Sequence, residues 1–476
     1  MDIEQLIAQV LPEIATILRS EVQMLTEPHT WYQNETQTHA IMQRVGHLVA
    51  QALAEQEGSG VEGPSRACAQ CGSEQVYHDQ HHPLTLLTSV GPIRWSHRAS
   101  YRCPACHSSS YPLDERLGLR QAGRTSRYLQ ELMGWLLAEE PMGAACETMQ
   151  KFLGLHVPVS QMRRVGEALG TELDVVQGQR VEQVTQETQG LSAPTPVRQP
   201  PAAGRIYGAP DGWMYCTTEH DEQGGFVWKE AKTLAVAEAE LGPASDDPDD
   251  VEHRTTRQRI AAHLPPPVRP QDHPQRLSYV VRTQGTWQDA GAWFWAEVHE
   301  RGVGTAVADL AVLADGGEGL SQMVESHLRQ RGIRLTRILD IRHAQQHLWE
   351  VARLLEPNQR TWLPDALDAL EQGAVSALLT ILSAVAVSCP AATQTATTAL
   401  AYFDTRFRQI DYPSFVQQGY PIGSGLAESA CKRFGTDRMK GTGMRWTPAG
   451  AQSIATLRAL RLSQRWHEVS SLCSAA

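Results

Sequence analysis

Apolar residues at Ile3, Leu6, Ile7, Val10, Ile14 and Leu18 recur at helical spacing and predict a helix near the start of the chain. Residues 1–57 as a whole read as helical and acidic, a packing or oligomerisation element. The Gly- and Ser-rich run QEGSGVEGPSR at 56–66 interrupts that pattern. In the next segment, TLLTSVGPIRWSHRASYRC alternates like a β-hairpin, with Gly91-Pro92 near its turn. Helical spacing returns over 126–170, broken by Gly154 and Pro158. Two readings fit it: a helix-turn-helix-like arrangement with 159–170 as the second helix, or a plain helical packing domain. Residues 176–204, ending GLSAPTPVRQPPAAG, have the Gln, Pro and Ala content of a linker.

After residue 204 strands alternate with helices. RIYGAPDGWMYCTTE, GFVWKEAKTLAVAE and LSYVVRTQG read as strands, and TWQDAGAWFWAEVHERG as a helix. TAVADLAVLADG reads as a strand, EGLSQMVESHLRQRG as a helix and RLTRILDIRH as a strand. A helical region follows at about 343–410, then a helical stretch at 424–467. This is the element order of an α/β, ribonuclease H-like fold with a helical insertion. The polar, Pro-rich segment 241–275 is expected to be a surface excursion.

The composition narrows the function. Hydrophobic residues make up 41% of the 476 and charged residues 20%, enough for a large core. The net charge is −11, which excludes a uniformly basic nucleic-acid coat. No run of about 18 apolar residues offers a membrane span. The acidic start MDIEQLIAQVLPEI does not read as a signal peptide, so a cytoplasmic protein is expected. Basic residues cluster locally. Between residues 90 and 130, Arg94, Arg98, Arg102, Arg116, Arg120, Arg124 and Arg127 face only Asp114 and Glu115. The C-terminal stretch from 421 is also rich in Lys and Arg. These two stretches are the places for phosphate contacts, or else solvated charged faces.

Nine cysteines are too few for a disulfide scaffold. Cys68/Cys71 and Cys103/Cys106 form two CxxC pairs 31 residues apart. Two thiolates three positions apart can grip one tetrahedral ion, so the pairs predict a zinc ribbon holding structural zinc. Four free thiols are the alternative. Three acids stand where strands or loops meet helices: Asp211 in GAPDGW, inside the first strand region, Asp315 in VLADGG, ending the fourth strand, and Glu428 in GSGLAESACKR, opening a late helix. Strand-end carboxylates of an open α/β sheet converge on one crevice, where hard oxygen ligands suit magnesium. Taken singly, Asp211-Gly212 and Asp315-Gly316 are also ordinary turn signals, and Glu428 is placed to pair with Lys432 along a helix.

The run GYPIGSGLAESACKRFGTDRMKGTGMRWTPAGAQSIATLRALRLSQRWHEV resembles the C-terminal signature of the ISKra-type insertion-sequence transposases, in the Mutator-like group of bacterial DDE transposases. ILDIRHAQQHLWEVA, VLADGGEGL, CAQCG, YRCPACHSSSYPLDERLGL and WKEAKTLAV resemble further segments of that family, from about residue 65 to 467. The resemblance implies catalytic acids at Asp211, Asp315 and Glu428 that hold two magnesium ions. Asp340 is the rival for the second position. With His343 it otherwise takes an auxiliary role, or it caps the following helix. The resemblance also implies binding of double-stranded DNA, both the inverted-repeat ends of the element and the target. DNA-binding candidates are Arg163, Arg164, Lys432, Arg433, Arg438, Lys440, Arg445 and Trp446. Trp446 would stack on an exposed base or belong to the core. A homodimer or higher oligomer, nucleoid-associated in a bacterium, is expected.

The resulting division is a helical region at 1–57, a zinc ribbon at 58–120, a helix-turn-helix-like domain at 121–175 and a linker at 176–204. A catalytic domain at 205–467 and a tail at 468–476 complete it. The expected activity is metal-dependent DNA cleavage and strand transfer. The alternatives are a catalytically inactive or domesticated DNA-binding regulator and a nuclease without strand transfer.

Overall fold

A computed structural model describes residues 3–24, 30–119, 124–189, 205–239, 275–304, 309–328, 333–423 and 425–475. They fall into two units, one of Met1–Leu173 with Trp466–Ala476, the other of Asp174–Arg465. In the first unit, α1 (Ile3–Met24) pairs with α2 (Trp31–Gln56). Thr30 starts α2 with a reciprocal cap: its hydroxyl accepts from the Gln33 N–H, and the Gln33 side chain accepts from the Thr30 N–H. Of the α1 stripe only Val10 is buried, while Ile3, Ile7 and Leu18 stay exposed.

The strands β1 (Ser65–Ala67), β2 (Glu74–Asp79), β3 (Leu84–Thr88), β4 (Gly91–Trp95), β5 (Ser100–Arg102) and β6 (Ser109–Ser110) form two sheets. One runs β1-β2-β5-β6; the other is the β3–β4 hairpin, with Leu84 opposite Trp95 and Thr88 opposite Gly91. Alternation places Leu84, Leu86, Ile93 and Trp95 together against Ala54 of α2 and Leu113 of α3 (Pro112–Arg116). Helices α4 (Arg127–Glu139), α5 (Met142–Leu153) and α6 (Val159–Thr188) follow. Gly154, at φ 66°, ends α5 in the left-handed conformation that glycine adopts without a Cβ clash. The second helix is not short: α6 runs 30 residues, through the first part of the stretch whose composition marks a linker. Beyond Asp174 it belongs to the second unit, where Val184 is fully buried in the apolar core, and that burial sustains the helix. Residues 190–204, Arg120 and the expected excursion at 240–274 lie outside the described residues.

The second unit is built on β7 (Arg205–His220), β8 (Phe226–Ala239), β9 (Gln275–Arg282), β10 (Asp309–Ala314) and β11 (Arg334–Leu339), in the order β11-β10-β7-β8-β9. β7, β8 and β9 form an antiparallel meander, and β10 runs parallel to both β7 and β11. Alternation along β7 separates two faces. Ile206 faces α7 (Trp287–His299) and α8 (Glu318–His327), packed with Leu234, Val236, Leu310 and Val312 around Phe294. Gly208 lies on this face because a Cβ there would sit 2.2 Å from the Phe294 ring. Asp211 and Trp213 point to the opposite face.

The expected helical insertion consists of α9 (Ile341–Arg353), α10 (Leu363–Glu371), α11 (Val375–Ser388), α12 (Thr393–Thr405) and α13 (Tyr412–Gln417). It starts at Ile341 rather than 343, and β11 stops at Leu339, because Asp340 caps α9. Helix α14 (Gly425–Cys431), a π-helix at Lys432–Met439 and α15 (Pro448–Leu462) pack on the face of the sheet that carries Asp211. Thr447 caps α15, with Pro448 in its first turn. Residues 468–476 are not a free tail: most lie in α16 (Trp466–Ser474), which groups with the first unit. There the Ser470 hydroxyl donates to Glu131 of α4 at 2.5 Å, and the Trp466 and Trp135 rings meet edge-on at 5.0 Å. Among the described residues no single helix is long and apolar enough to cross a membrane.

Candidate functional site

Each CxxC pair sits on a turn between two strands, and the two turns repeat one hydrogen-bond pattern. The Cys68 N–H donates to Ser73 O and the Gly72 N–H to Cys68 O. The Cys103 N–H donates to Ser108 O and the His107 N–H to Cys103 O. The residue after each second cysteine has positive φ, 74° at Gly72 and 58° at His107. β2–β5 pairing brings the turns together, leaving Cys68 Sγ 3.7 Å from Cys106 Sγ and Cys71 Sγ 3.6 Å from Cys103 Sγ. All four sulfurs lie within 4.8 Å of one another. The Ser108 hydroxyl holds Cys68 down at about 6 and lowers Cys106 as well. At Cys103 the Cys106 N–H favours the thiolate, but burial and the neighbouring thiols outweigh it and raise the thiol to about 11. This cluster can hold a structural zinc ion, and four sulfur donors complete its tetrahedron.

The register of the second unit lines up Asp315, just past the end of β10, with Asp211, which lies within β7 opposite Thr233 of β8. Val312 of β10 pairs with Gly208 of β7, so Asp315 and Asp211, each three residues further on, fall level. Ala314 pairs with Leu339, so Asp340 falls level with Asp315 on the next strand. Asp211 accepts from its own Gly212 N–H at 2.7 Å and from the Cys431 thiol at 3.3 Å. Burial lifts its carboxyl above the usual range, and the charge of Asp315 adds to the rise; Cys431, Gly212 and His343 oppose it. Glu428 is exposed in the first turn of α14, one turn before Cys431. Burial pushes the Cys431 thiol up, with Asp211 and then Glu428 adding to the effect. The three carboxylates do not gather within 4.8 Å of one another as the thiols do. Their donor set, carboxylate oxygens with two in mutual repulsion, is what a hard dication offsets.

Asp340 plays a different part. It is 2% exposed, and its carboxylate accepts from the Arg342 and His343 N–H groups at the head of α9. His343 itself is exposed, with Nε2 3.9 Å from the Asp315 carboxylate. Three residues at the site had no signal in the sequence. Cys431 is one. The others are Tyr402 and Arg406, which reach the turn after β10 from the insertion.

The DNA-binding candidates separate by exposure. Arg163 and Arg164 are exposed on the first turns of α6. Lys432, Arg433, Lys440 and Arg445 are exposed in the second unit, and Lys440 acts electrostatically on Cys431. Arg433 also reaches the Tyr279 hydroxyl at 3.4 Å, and Arg445 stacks on Phe226 at 3.8 Å. Arg438 and Trp446 do not fit the expectation. Arg438 is 1% exposed and Trp446 6%. The Trp446 indole donates to Met439 O at 3.0 Å, its N–H donates to Cys216 O and its own carbonyl accepts from Thr218, so it belongs to the core. The arginine-rich stretch at 90–130 divides: Arg94, Arg102 and Arg124 are exposed, and three others are paired within their own unit. Arg98 pairs with Asp114, Arg116 with Glu57 and Arg127 with Glu172.

No family model matches the chain, and no curated protein matches it. Among solved structures it is similar to the Drosophila P element transposase strand transfer complex, at 10% identity, over 75% of this chain and 83% of that one. The TM-score is 0.24, too low for the likeness to carry an argument.

Proposed function

We propose that the chain is a DNA transposase whose second unit is a ribonuclease H-like catalytic domain. The observation that carries this reading is the level placement of Asp211, midway along β7, and Asp315, just past the end of the neighbouring parallel strand β10, with Glu428 presented from the helix that covers the same face. The element order strand-strand-strand-helix-strand-helix-strand, followed by a helical insertion, supports it. So does the resemblance of residues 419–469 to the C-terminal signature of the ISKra-type enzymes.

In this reading Asp211, Asp315 and Glu428 hold magnesium. Bound there, two ions would supply positive charge for an in-line displacement at phosphorus. The protein's own part is positioning: His343 beside Asp315, and Lys440 near Cys431 as a phosphate contact. Water would cut the phosphodiester at the element's end, and the freed 3′-hydroxyl would then attack target DNA. The zinc cluster and the α4–α6 helices, with Arg163 and Arg164 exposed, would recognise the inverted-repeat ends. Two ends must be held together for transfer, so a dimer or larger assembly belongs to the proposal.

The test is strand transfer of a labelled fragment carrying the element's ends, with magnesium, comparing the native chain with Glu428→Gln. Joined products from the native chain, lost in the variant while DNA binding persists, support the reading. Binding without cleavage by either would instead favour the regulator. Cleaved ends that never join would make it a nuclease. Equal joining by both proteins would remove Glu428 from the site.

A further inference from the structure

The turn that carries Asp315 is gripped from outside the sheet. Tyr402, near the end of α12, donates its hydroxyl to the Asp315 carbonyl at 2.6 Å. Arg406 donates Nε and Nη2 to the Gly316 carbonyl at 3.2 and 2.5 Å, and Nη1 to Tyr402 O at 3.1 Å. The guanidinium lies 4.3 Å from the centre of the Tyr402 ring, and the His347 ring of α9 packs against it, tilted by 42°, with centroids 4.0 Å apart. Gly316 has φ +78°, and a Cβ there would meet Arg406 Nε at 2.6 Å. Within the turn, the Asp315 carboxylate accepts from the Gly317 N–H at 2.8 Å. A strand followed by two glycines has little stiffness of its own. Here both carbonyls that follow β10 are bonded by side chains from a segment that adds no strand to the sheet.

We propose that Tyr402 and Arg406 are positioning residues, through which the helical insertion sets where the Asp315 carboxylate stands relative to Asp211. The proposal rests on the reading of Asp211, Asp315 and Glu428 as a metal site. A carboxylate on a loose Asp-Gly-Gly turn samples many positions, and each metal-competent one is thinly populated. Fixing its main chain raises that population, as partners behind metal ligands do elsewhere at about 10–100-fold in affinity.

The experiment uses the full chain and manganese(II) alone, with binding followed by calorimetry and by electron paramagnetic resonance. Tyr402→Phe deletes one oxygen and keeps the packed ring; Arg406→Ala removes the guanidinium, and Arg406→Lys restores a single donor. Asp315→Asn reports the site itself. The expected result is manganese affinity about 10-fold or more weaker in Tyr402→Phe and Arg406→Ala, with partial recovery in Arg406→Lys. The melting temperature of Tyr402→Phe should stay near that of the native chain. In strand transfer, half-saturating magnesium should rise while the rate at saturating magnesium recovers. If the native chain binds manganese, Asp315→Asn does not, and Tyr402→Phe binds as tightly as the native chain, the positioning role is overturned and the metal site survives. If the native chain and Asp315→Asn bind manganese equally weakly, the metal site falls and the proposal falls with it. Should Arg406→Ala fail to fold, Tyr402→Phe decides alone.

Discussion

Replacing Asp211 by asparagine should make the metal-free protein more stable above neutral pH while abolishing its response to magnesium. In the folded chain Asp211 ionises above its ordinary 3.8, because burial and then the Asp315 charge penalise the carboxylate. Between the unfolded and folded values the folded state holds a proton that the unfolded chain has released. Stability therefore falls as pH rises through that window and stays reduced above it, by about 1.4 kcal/mol for each unit of displacement. Asparagine carries no charge to penalise and can still accept from the Gly212 N–H and the Cys431 thiol. The expected gain is about 0.5–2 kcal/mol above the window and none below the unfolded value. At about 2–4 °C per kcal/mol, this is measurable by thermal unfolding of the full chain in chelator across a pH series. Magnesium at about 100 times its dissociation constant should add about 2.7 kcal/mol to the native chain and far less to the variant. An Asp211→Asn chain that is less stable at pH 7.5, or whose gain is the same at every pH, would refute the reasoning.

Metal analysis of the purified protein should find one zinc per chain, lost in Cys71→Ser and Cys103→Ser, with chelator lowering the melting of the first unit only. Gly208→Ala should cost about 1–3 kcal/mol, since its new methyl meets the Phe294 ring; a companion Phe294→Leu that recovers nothing would show that another contact is responsible. Trp446→Ala should cost about 3–5 kcal/mol, yet leave DNA affinity per folded molecule unchanged; a selective loss of binding would return Trp446 to the DNA surface. Arg163→Ala and Arg164→Ala should each flatten the salt dependence of DNA binding by about one unit of slope, and an unchanged slope in both would take that face of α6 off the DNA.

The sequence by itself determined whatever depends on neighbours along the chain. The two CxxC spacings, the β3–β4 hairpin, the order of strands and helices after residue 204 and the cap by Asp340 are short-range relations, readable from periodicity and turn chemistry. Of the candidate acids, Asp315 was legible in the same way, as the polar end of an apolar strand; Asp211 and Glu428 were singled out by turn and helix position together with the family resemblance. What only the tertiary structure decided was which of these residues meet, and which face water. Trp446 is buried because the loop after the π-helix pairs with β7, some 230 residues earlier, and the buried Arg438 guanidinium lies over its ring. Helix α6 continues past residue 176 because Val184 finds a core supplied by α7 and the sheet, and α16 is held by α4, more than 300 residues before it. Arg98 and Arg127 look like free charge in sequence and are paired in space. Cys431 reaches Asp211, and Tyr402 and Arg406 reach the Asp315 turn, across separations that no local pattern encodes. The physical reason is range. Backbone preference acts over a few residues, whereas burial, pairing and a site's geometry come from packing between segments far apart in the chain.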